Sequence, residues 1–336
     1  METQLVERSG IPFRTIPAAG VHGIGLRTLP HNLWQLSRGV LASRRILREF
    51  KPEVLFFTGG YVAVPMALVG WKVPSLLYVP DIEPGLALKT LARFADKIAV
   101  TAEDSRHYFT STCGTCTGNH PERICLTGYP VRADLAGWTR QAARKALTLN
   151  EESPVLLVLG GSKGARSINA AVLAALPALV EMTQIIHITG ELDWPNVEEK
   201  TKELSNTQSA RYHAFPYLHE QMGAALAAAD LALSRAGAST LGEYPLFGLP
   251  AVLVPYPHAW RYQKVNADYL VRQAAAVSLA DEKLADRLLP TIKDLLNQPE
   301  KLVSMRNAMQ RLAHPDAATL IGRQLLALCP DKEKRP

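Results

Sequence analysis

The chain has 336 residues, of which 47% are hydrophobic and 20% are charged, and its formal net charge is +6. This composition is typical of a folded globular protein and excludes an intrinsically disordered chain. The length suits two domains of about 150 residues each. No run of about 20 uncharged apolar residues occurs, so the sequence predicts no membrane-spanning helix.

The positive net charge is compatible with three kinds of partner: nucleic acid, an anionic membrane surface or a phosphorylated substrate. Binding to nucleic acid is disfavoured, because no run of Lys or Arg alternates with aromatic residues. We therefore expect no nucleic-acid partner, and the charge alone does not choose between the other two.

In the first half of the chain, short apolar runs alternate with amphipathic segments, which is the pattern of an α/β protein with parallel sheets. A doubly wound domain normally opens with a strand, a Gly-rich turn and a helix. The opening of this chain does not follow that order, so we expect the first domain to lack its first strand and Gly-rich loop. Strands are predicted at 13–16, 54–58, 75–79, 97–101 and 124–127, and helices at 33–50, 62–71 and 85–94.

The first predicted helix carries a tryptophan and several arginines: Trp34, Arg38, Arg44, Arg45 and Arg48. A basic stretch with an aromatic residue suits a surface that contacts lipid headgroups. In the alternative interpretation, the same residues form the solvated face of a helix whose apolar face packs against the core. The sequence leaves both interpretations open.

Three of the four cysteines, Cys113, Cys116 and Cys125, lie close together in the sequence, with His107 and His120 nearby. Such a cluster can be a zinc site or a redox pair. The spacing fits no strong metal-binding template, and the segment is rich in Thr, Gly and Asn. Free thiols on a surface loop are therefore the favoured interpretation, and we expect no metal.

After residue 150 the alternating pattern restarts, which predicts a second doubly wound domain. Its strands are predicted at 155–159, 184–189, 210–214, 231–234 and 251–255, and its helices at 167–180, 222–229, 239–247 and 263–272. The tail beyond Lys283 is predicted to be helical. The sequence thus predicts an α/β fold with two Rossmann-like domains, at 1–140 and 150–305, followed by a helix at 306–330.

The first candidate for ligand binding is the junction after the apolar run 155–159, which reads Gly160-Gly161-Ser162-Lys163-Gly164. Glycines at a strand-to-helix turn let backbone N–H groups approach a phosphate, which the helix N-terminus also attracts. A plain turn with glycines for close packing is the alternative. The spacing matches neither GxGxxG nor GxxxxGK[ST], so neither a nicotinamide dehydrogenase nor an ATPase is indicated.

The second candidate is the junction from Ser234 to Glu243, which again joins a strand to a helix through small residues. Thr240 and the backbone amides of 238–241 are placed to bind a second phosphate. Glu243 is placed to accept hydrogen bonds from a vicinal diol such as a ribose. Alternatively, Glu243 is a surface carboxylate that favours the positive end of the helix dipole.

The third candidate is a pair of amide side chains, Gln263 and Asn266, which follow the strand predicted at 251–255. Because they are three residues apart, they share one face of a helix and can point at the same polar ligand. Ligands of open α/β sheets bind at the carboxyl ends of the strands. Three polar elements at successive strand ends therefore predict one binding site.

Together these segments resemble the MurG-type glycosyltransferases, which add N-acetylglucosamine to the undecaprenyl-linked intermediate of peptidoglycan and belong to the two-domain GT-B group. The resemblance covers most of the chain. The motifs that carry it are Gly59-Gly60-Tyr61-Val62, Pro84-Gly85-Leu86-Ala87, Thr127-Gly128-Tyr129-Pro130-Val131-Arg132, Leu159 to Ala165, Ser234 to Glu243, Gly248-Leu249-Pro250, and His258 with Gln263 and Asn266.

The resemblance implies an inverting hexosyltransferase that uses a UDP-sugar donor and a polyprenyl- or lipid-linked acceptor, without a cofactor. It implies a cytoplasmic protein peripheral to the inner face of the cell membrane, with the membrane surface as a partner. It places Ser162 and Arg132 at the diphosphate or acceptor side, and a backbone group at His219 against the uracil. It assigns the ribose to Glu243 and the sugar to Gln263. It assigns the phosphates to Ala238, Ser239, Thr240 and Leu241, with the adjacent Gly242.

The chain departs from the family pattern mainly on the acceptor side. Where the family has His-Glu-Gln-Asn, this chain has Tyr78-Val79-Pro80-Asp81, of which only Asp81 can keep a hydrogen-bonding role. Tyr129 stands in place of the usual Asn, and Lys163 in place of the usual Gln. The catalytic base is not identifiable, although Asp81 and Glu83 are the nearby carboxylates on the acceptor side.

These departures leave three alternatives. The first is a GT-B glycosyltransferase that acts on another acceptor. The second is a UDP-sugar 2-epimerase, which needs acid and base carboxylates but no lipid acceptor. The third is a UDP-sugar-binding remnant that is inactive alone or depends on a partner, which the expected lack of the first strand motivates.

Overall fold

A computed structural model of the chain describes residues 6, 10–18, 29–110, 121–161, 164–258 and 262–329. Two parallel sheets organise the fold. In the first sheet the strands lie in chain order, and each is parallel to its neighbour. These strands are β1 (Leu55–Phe57), β2 (Ser75–Val79), β3 (Lys97–Val100) and β4 (Ile124–Leu126).

Helices connect and cover the strands of the first sheet. The longest, α1, packs against α2 beside the edge strand β1. Each of the predicted helices in this half is present, with ends that differ by at most four residues from the predicted ones. The helices are α1 (Leu29–Phe50), α2 (Ala63–Val69), α3 (Leu86–Leu91) and α4 (His107–Thr110).

The second sheet has six parallel strands in the order β7-β6-β5-β8-β9-β10. Counted from β5, this order is 3-2-1-4-5-6, the doubly wound order of dinucleotide-binding domains, in which ligands bind where the order reverses. The reversal lies between β5 and β8. The strands are β5 (Val155–Leu159), β6 (Gln184–Ile188), β7 (Tyr212–Phe215), β8 (Leu231–Ser234), β9 (Ala251–Leu253) and β10 (Ala276–Ser278).

The helices of the second half cover both faces of this sheet and continue into the tail. They are α5 (Arg140–Ala146), α6 (Arg166–Met182), α7 (Trp194–Thr201), α8 (Asn206–Ser209), α9 (Met222–Ala228), α10 (Glu243–Phe247), α11 (Tyr262–Arg272), α12 (Leu284–Leu296), α13 (Pro299–Gln310) and α14 (Ala317–Leu328).

The central position of β5 in the second sheet explains why the sequence of this strand is entirely apolar. Residues 155–158 of β5 have no exposed surface, because helices cover both faces of the strand. Such strands are continuous apolar runs rather than alternating ones. On α6, Ile168, Val172, Leu176 and Leu179 recur at helical spacing and are buried against this sheet, which fixes the start of α6 beside the end of β5.

Both connections between the two domains are packed rather than loose. Helix α5 lies against α9, and Ala143 belongs to the core of the second domain. Helix α14 returns to the first sheet, where Ile321 packs against Leu76, Tyr78 and Ala99. The exact domain limits stay a prediction.

Two predicted elements differ from the structure, and one strand of the second sheet was missed. Residues 13–16 are not a strand, and the described residues 11–18 form no regular element. The helix predicted at 239–247 is split, because Pro245 has no N–H to donate and its ring crowds the preceding turn. A 3-10 turn at Ala238–Leu241 precedes α10 instead. The short strand β10 was not predicted.

Candidate active site

The loop after β5 lies at the point where the strand order of the second sheet reverses. Gly161 and Gly164 adopt φ angles of +84° and +75°, which favour glycine. A side chain on Gly160 would meet the backbone N of Ala165 at 2.2 Å, and one on Gly164 would meet the carbonyl oxygen of Thr189 at 2.4 Å. The loop is therefore folded tightly over the end of the sheet. The predicted site residue Ser162 and its neighbour Lys163 lie outside the described residues.

The loop after β8 lies beside it and is held by a buried ionic brace. Arg235 forms an ion pair with Asp281 and donates a hydrogen bond to the hydroxyl of Ser167 at 2.7 Å. The Ser167 hydroxyl donates in turn to Asp281 at 2.7 Å, and Arg235 also donates to the carbonyl of Val254 at 3.2 Å. Because Ser167 lies in the first turn of α6 and Val254 directly follows β9, the brace fixes the β8 loop relative to both neighbours.

The predicted phosphate segment is the 3-10 turn at Ala238–Leu241. Thr240 is buried and its hydroxyl donates to the carbonyl of Gly237 at 2.7 Å, so this proton stabilises the turn itself. Ala238 and Ser239 are half-buried at the surface of the loop. The backbone of these two residues, rather than the Thr240 hydroxyl, is the part of the segment that is open to a ligand.

Glu243 opens α10, directly after this turn, and is largely buried. Burial raises the pKa of its carboxyl to about 7, while the positive charge of Arg132 lowers it. Arg132 lies in the connection between the domains, where its side chain is 63% exposed and lies 3.6 Å from Asp134. It acts on the Glu243 carboxyl through its charge, and no ion pair joins these two described residues. A desolvated carboxylate with an accessible guanidinium in the same region is suited to bind a polar ligand that carries hydroxyls and phosphates.

Tyr129 lies where the two domains face each other; this region, with Asp81, Gly242 and Glu243 around Tyr129, is called the cleft. A Cβ atom on Gly242 would come within 2.6 Å of the Tyr129 ring, so the absence of a side chain at Gly242 lets the ring pack on the segment that precedes α10. Burial raises the pKa of the Tyr129 phenol, and the carboxylates of Glu243 and Asp81 raise it further. Tyr129 therefore lies near both carboxyl groups.

The sequence predicted that the two amide side chains on α11 point at the same ligand, but the structure gives them different roles. The Gln263 Oε1 accepts a hydrogen bond from the Tyr256 backbone N at 2.9 Å, and its Nε2 bonds to none of the described residues. Asn266 is fully buried and does not point at a ligand. Its Nδ2 donates to Asp81 Oδ1 at 2.8 Å and to the Ala236 carbonyl at 3.1 Å.

Asn266 also accepts a hydrogen bond from the Ile82 backbone N at 3.0 Å. Its prediction as a ligand contact is corrected on this point, because its hydrogen bonds hold Asp81 and Ile82 of the first domain against the Ala236 loop of its own domain. Asp81, which was predicted as a site residue, is placed in the cleft by these bonds. Burial raises the pKa of the Asp81 carboxyl, and the Asn266 amide lowers it.

His219 follows β7 and is exposed, with its ring 4.5 Å from the ring of Tyr217. Among the described residues, no hydrogen bond or ion pair joins it to another predicted site residue. Of the predicted cysteine cluster, Cys113, Cys116 and His120 lie outside the described residues. The Cys125 thiol contacts the Ile98 carbonyl at 3.5 Å, and burial raises its pKa.

Comparison with known families now identifies the chain. Residues 155–321 match the glycosyltransferase family 28 C-terminal domain, and residues 1–100 match the family 28 N-terminal domain. The chain belongs to glycosyltransferase family 28.

Curated relatives extend this family assignment over nearly the whole chain. The UDP-N-acetylglucosamine--N-acetylmuramyl-(pentapeptide) pyrophosphoryl-undecaprenol N-acetylglucosamine transferase of Roseiflexus sp. (strain RS-1) is 42% identical, over 95% of this chain and 79% of its own length. The protein of the same name from Desulforamulus reducens is 35% identical, over 99% of this chain and 89% of its own length. The predicted resemblance to the MurG-type family is confirmed.

Two solved structures share the fold of this chain. MurG of Acinetobacter baumannii superposes with a TM-score of 0.72 at 23% identity, covering 97% of this chain and 88% of that one. UDP-GlcNAc 2-epimerase of Neisseria meningitidis, bound to UDP-GlcNAc, superposes with a TM-score of 0.64 at 14% identity and the same coverage. At these identities the likeness concerns the fold alone, and it confirms the predicted GT-B type with two Rossmann-like domains.

Within this family 28 fold, Asp81, Gly242 and Glu243 come together around Tyr129, and the charge of Arg132 acts on Glu243. Within the part of the chain that the structure describes, no hydrogen bond or ion pair joins His219 to this group. Sequence reasoning missed the packing of Tyr129 on Gly242 and the brace at Arg235. A glycine that packs against a large aromatic ring is a sign of close packing. Gly242 and Tyr129 lie in different domains, however, so a single sequence does not show that they are in contact.

Proposed function

We propose that this chain is an inverting glycosyltransferase that transfers N-acetylglucosamine from UDP-N-acetylglucosamine to a lipid-linked acceptor, as in the synthesis of the lipid intermediate of peptidoglycan. The observation that carries the proposal is the position of Glu243 at the start of α10, in the loop region after β8, next to the strand-order reversal between β5 and β8. Nucleotides bind at this place in doubly wound sheets. Its support is membership of a family whose curated relatives carry that activity in their names.

In this proposal the UDP lies across the reversal point. Glu243 accepts hydrogen bonds from the ribose hydroxyls, and the backbone of residues 238–241 contacts the phosphates. Gln263 offers its free Nε2 to the sugar, because its Oε1 is already bonded to Tyr256. Ser162 and the backbone at His219 stay predicted contacts for the diphosphate or acceptor side and for the uracil.

The chemistry requires that the diphosphate leave with a negative charge. We assign this stabilisation to Arg132, because its guanidinium is exposed and its charge is felt by the Glu243 carboxyl. Backbone N–H groups of the two loops add further donors. The acceptor attacks the anomeric carbon from the face opposite the diphosphate, which inverts its configuration.

The proposal includes attachment to the inner face of the cell membrane through α1 and its surroundings. Trp34 and Leu41 are 54% and 65% exposed on α1, and Trp71 is 65% exposed at the end of α2. The Arg38 guanidinium stacks 4.7 Å from the Trp34 ring centroid. Exposed aromatic and apolar side chains among arginines suit the headgroup region of an anionic bilayer. None of the described helices is both long enough and apolar enough to cross a bilayer.

A transfer assay tests the proposed function. The purified chain is incubated with UDP-[14C]N-acetylglucosamine and N-acetylmuramyl-(pentapeptide) pyrophosphoryl-undecaprenol in detergent, and the label in the lipid is extracted and counted. Label in a disaccharide lipid, reduced at least tenfold by Glu243→Ala, supports the proposal. Conversion of the UDP-sugar without an acceptor would favour an epimerase, and no conversion by the folded protein would contradict the proposal.

A further inference from the structure

The segments that meet at the cleft contain few carboxyl groups. Residues 80–91, after β2, contain Asp81 and Glu83, and residues 235–247, after β8, contain Glu243. Glu243 is the proposed ribose ligand. Glu83 is buried, and the Lys89 ammonium lies 3.5 Å from its carboxylate. Asp81 is only half-buried, and among the described residues no Lys, Arg or His forms an ion pair with it.

One side-chain amide places Asp81 at the boundary between the two domains. The Nδ2 of Asn266 donates both to Asp81 Oδ1, at 2.8 Å, and to the carbonyl of Ala236, at 3.1 Å. Ala236 belongs to the loop after β8, on the donor side. The same Asn266 accepts from the backbone N of Ile82 at 3.0 Å, so the segment that carries Asp81 is fixed at two points. Asp81 Oδ2 makes no hydrogen bond to the described residues.

We propose that Asp81 is the general base of the transfer and that Asn266 is the residue that positions it; this inference rests on the proposed function. The Asp81 carboxylate takes the proton of the acceptor hydroxyl while that oxygen forms a bond to the anomeric carbon. The bond from this carbon to the diphosphate oxygen breaks, and its electron pair leaves with UDP. The protonated Asp81 then releases its proton to solvent.

Three phenols face Asp81, those of Tyr78, Tyr129 and Tyr262, and burial raises the pKa of each of them, so that none ionises where a carboxylate acts as a base. The Tyr129 phenol also lies near Glu243, whose pKa is about 7. Both Asp81 variants keep Glu243, so a pH limb that Asp81→Asn abolishes does not come from Glu243. The Asn266 amide does not titrate. Burial also raises the pKa of Asp81, which makes its carboxylate a stronger base than an exposed one.

The test compares Asp81→Asn with Asp81→Glu and with Glu220→Gln, which changes an exposed carboxylate that is not among the proposed ligand contacts. Asp81→Asn keeps an acceptor oxygen for Asn266 and removes only the base. We expect it to lower kcat about 100-fold or more, with calorimetric affinity for UDP-N-acetylglucosamine within about twofold of wild type. We expect kcat of the wild type, measured with both substrates saturating, to fall as the pH is lowered. This limb is expected to be absent in Asp81→Asn and retained in Asp81→Glu.

The outcomes separate this inference from the proposed function. If the wild type transfers the sugar and Asp81→Asn does so at a similar kcat, Asp81 is not the base and the proposed function stands. If the folded wild type transfers nothing, the proposed function fails and this inference fails with it. If Asp81→Asn does not fold, the wild-type and Asp81→Glu profiles decide: a kcat independent of pH overturns the inference, and a limb that Asp81→Glu shifts supports it.

Discussion

Replacing Glu243 by Gln should make the protein more stable at pH 8 while it weakens the binding of UDP. Burial raises the pKa of this carboxyl from 4.5 to about 7, so the folded state prefers the protonated form. The unfolded chain ionises near its ordinary value. The folded state is therefore progressively destabilised relative to the unfolded chain as the pH rises from 4.5 to about 7, and the penalty is constant above that range.

The magnitude follows from the two pKa values of Glu243. Since a tenfold change in proton affinity is worth ~1.36 kcal/mol, the difference between 4.5 and about 7 corresponds to about 3 kcal/mol at pH 8. Glu243→Gln removes this penalty, because the amide is neutral and close to the same size. Urea denaturation should give a free energy of unfolding about 3 kcal/mol higher for Glu243→Gln than for wild type at pH 8, and within about 1 kcal/mol of it at pH 5.

The control for this experiment is Glu220→Gln, which changes an exposed carboxylate and should alter stability by less than about 0.5 kcal/mol at either pH. An equal difference between Glu243→Gln and wild type at pH 5 and pH 8 would refute the reasoning, because a buried carboxylate must act through its ionisation. Such a loss of stability is expected at a binding site, because a carboxylate that is kept away from water in order to bind a ligand destabilises the folded protein when the ligand is absent.

Two further predictions concern the fold and the membrane. Asp230→Ala should lower the free energy of unfolding by about 3–5 kcal/mol, because the buried guanidinium of Arg144, 2.8 Å from Asp230, loses its counter-charge. A loss below about 1 kcal/mol in urea denaturation would show that this ion pair does not stabilise the fold. The double substitution Trp34→Ser and Leu41→Ser should reduce sedimentation with anionic phospholipid vesicles about tenfold or more, because each side chain loses its apolar contact with lipid. Unchanged sedimentation would place the membrane contact elsewhere.

The regular elements of the second domain were the most predictable part of the chain. The strands at 155–159 and 231–234 have the predicted limits, because each is a continuous apolar run that ends in a polar or turn-forming residue. The strand Ala276–Ser278 was missed because it lies in a run of small residues, with no turn-forming residue to mark where a strand begins. The strand predicted at 13–16 was wrong. A short segment with two apolar residues becomes a strand only if it pairs with a neighbouring strand, and the sequence does not show whether such a partner exists.

The site was predictable only as far as local spacing determines it. The loops after β5 and β8 were placed correctly, because parallel strands end at one edge of the sheet. The partner of Asn266 was not predictable, since Asp81 lies 185 residues away in the other domain. The environment of Glu243 was equally hidden, because the pKa of a carboxyl depends on burial, and burial is decided by how Tyr129, Gly242 and the two domains pack.

The central claim is that UDP-N-acetylglucosamine binds at the reversal point of the second sheet, and calorimetric titration at pH 8 tests it most directly. At this pH Glu243 is mostly ionised and can accept from the ribose hydroxyls. We predict saturable binding of one UDP-N-acetylglucosamine per chain, weakened at least tenfold by Glu243→Ala and unchanged by Glu220→Ala. No saturable binding by the folded protein, or equal affinity of the Glu243→Ala variant, would contradict the account.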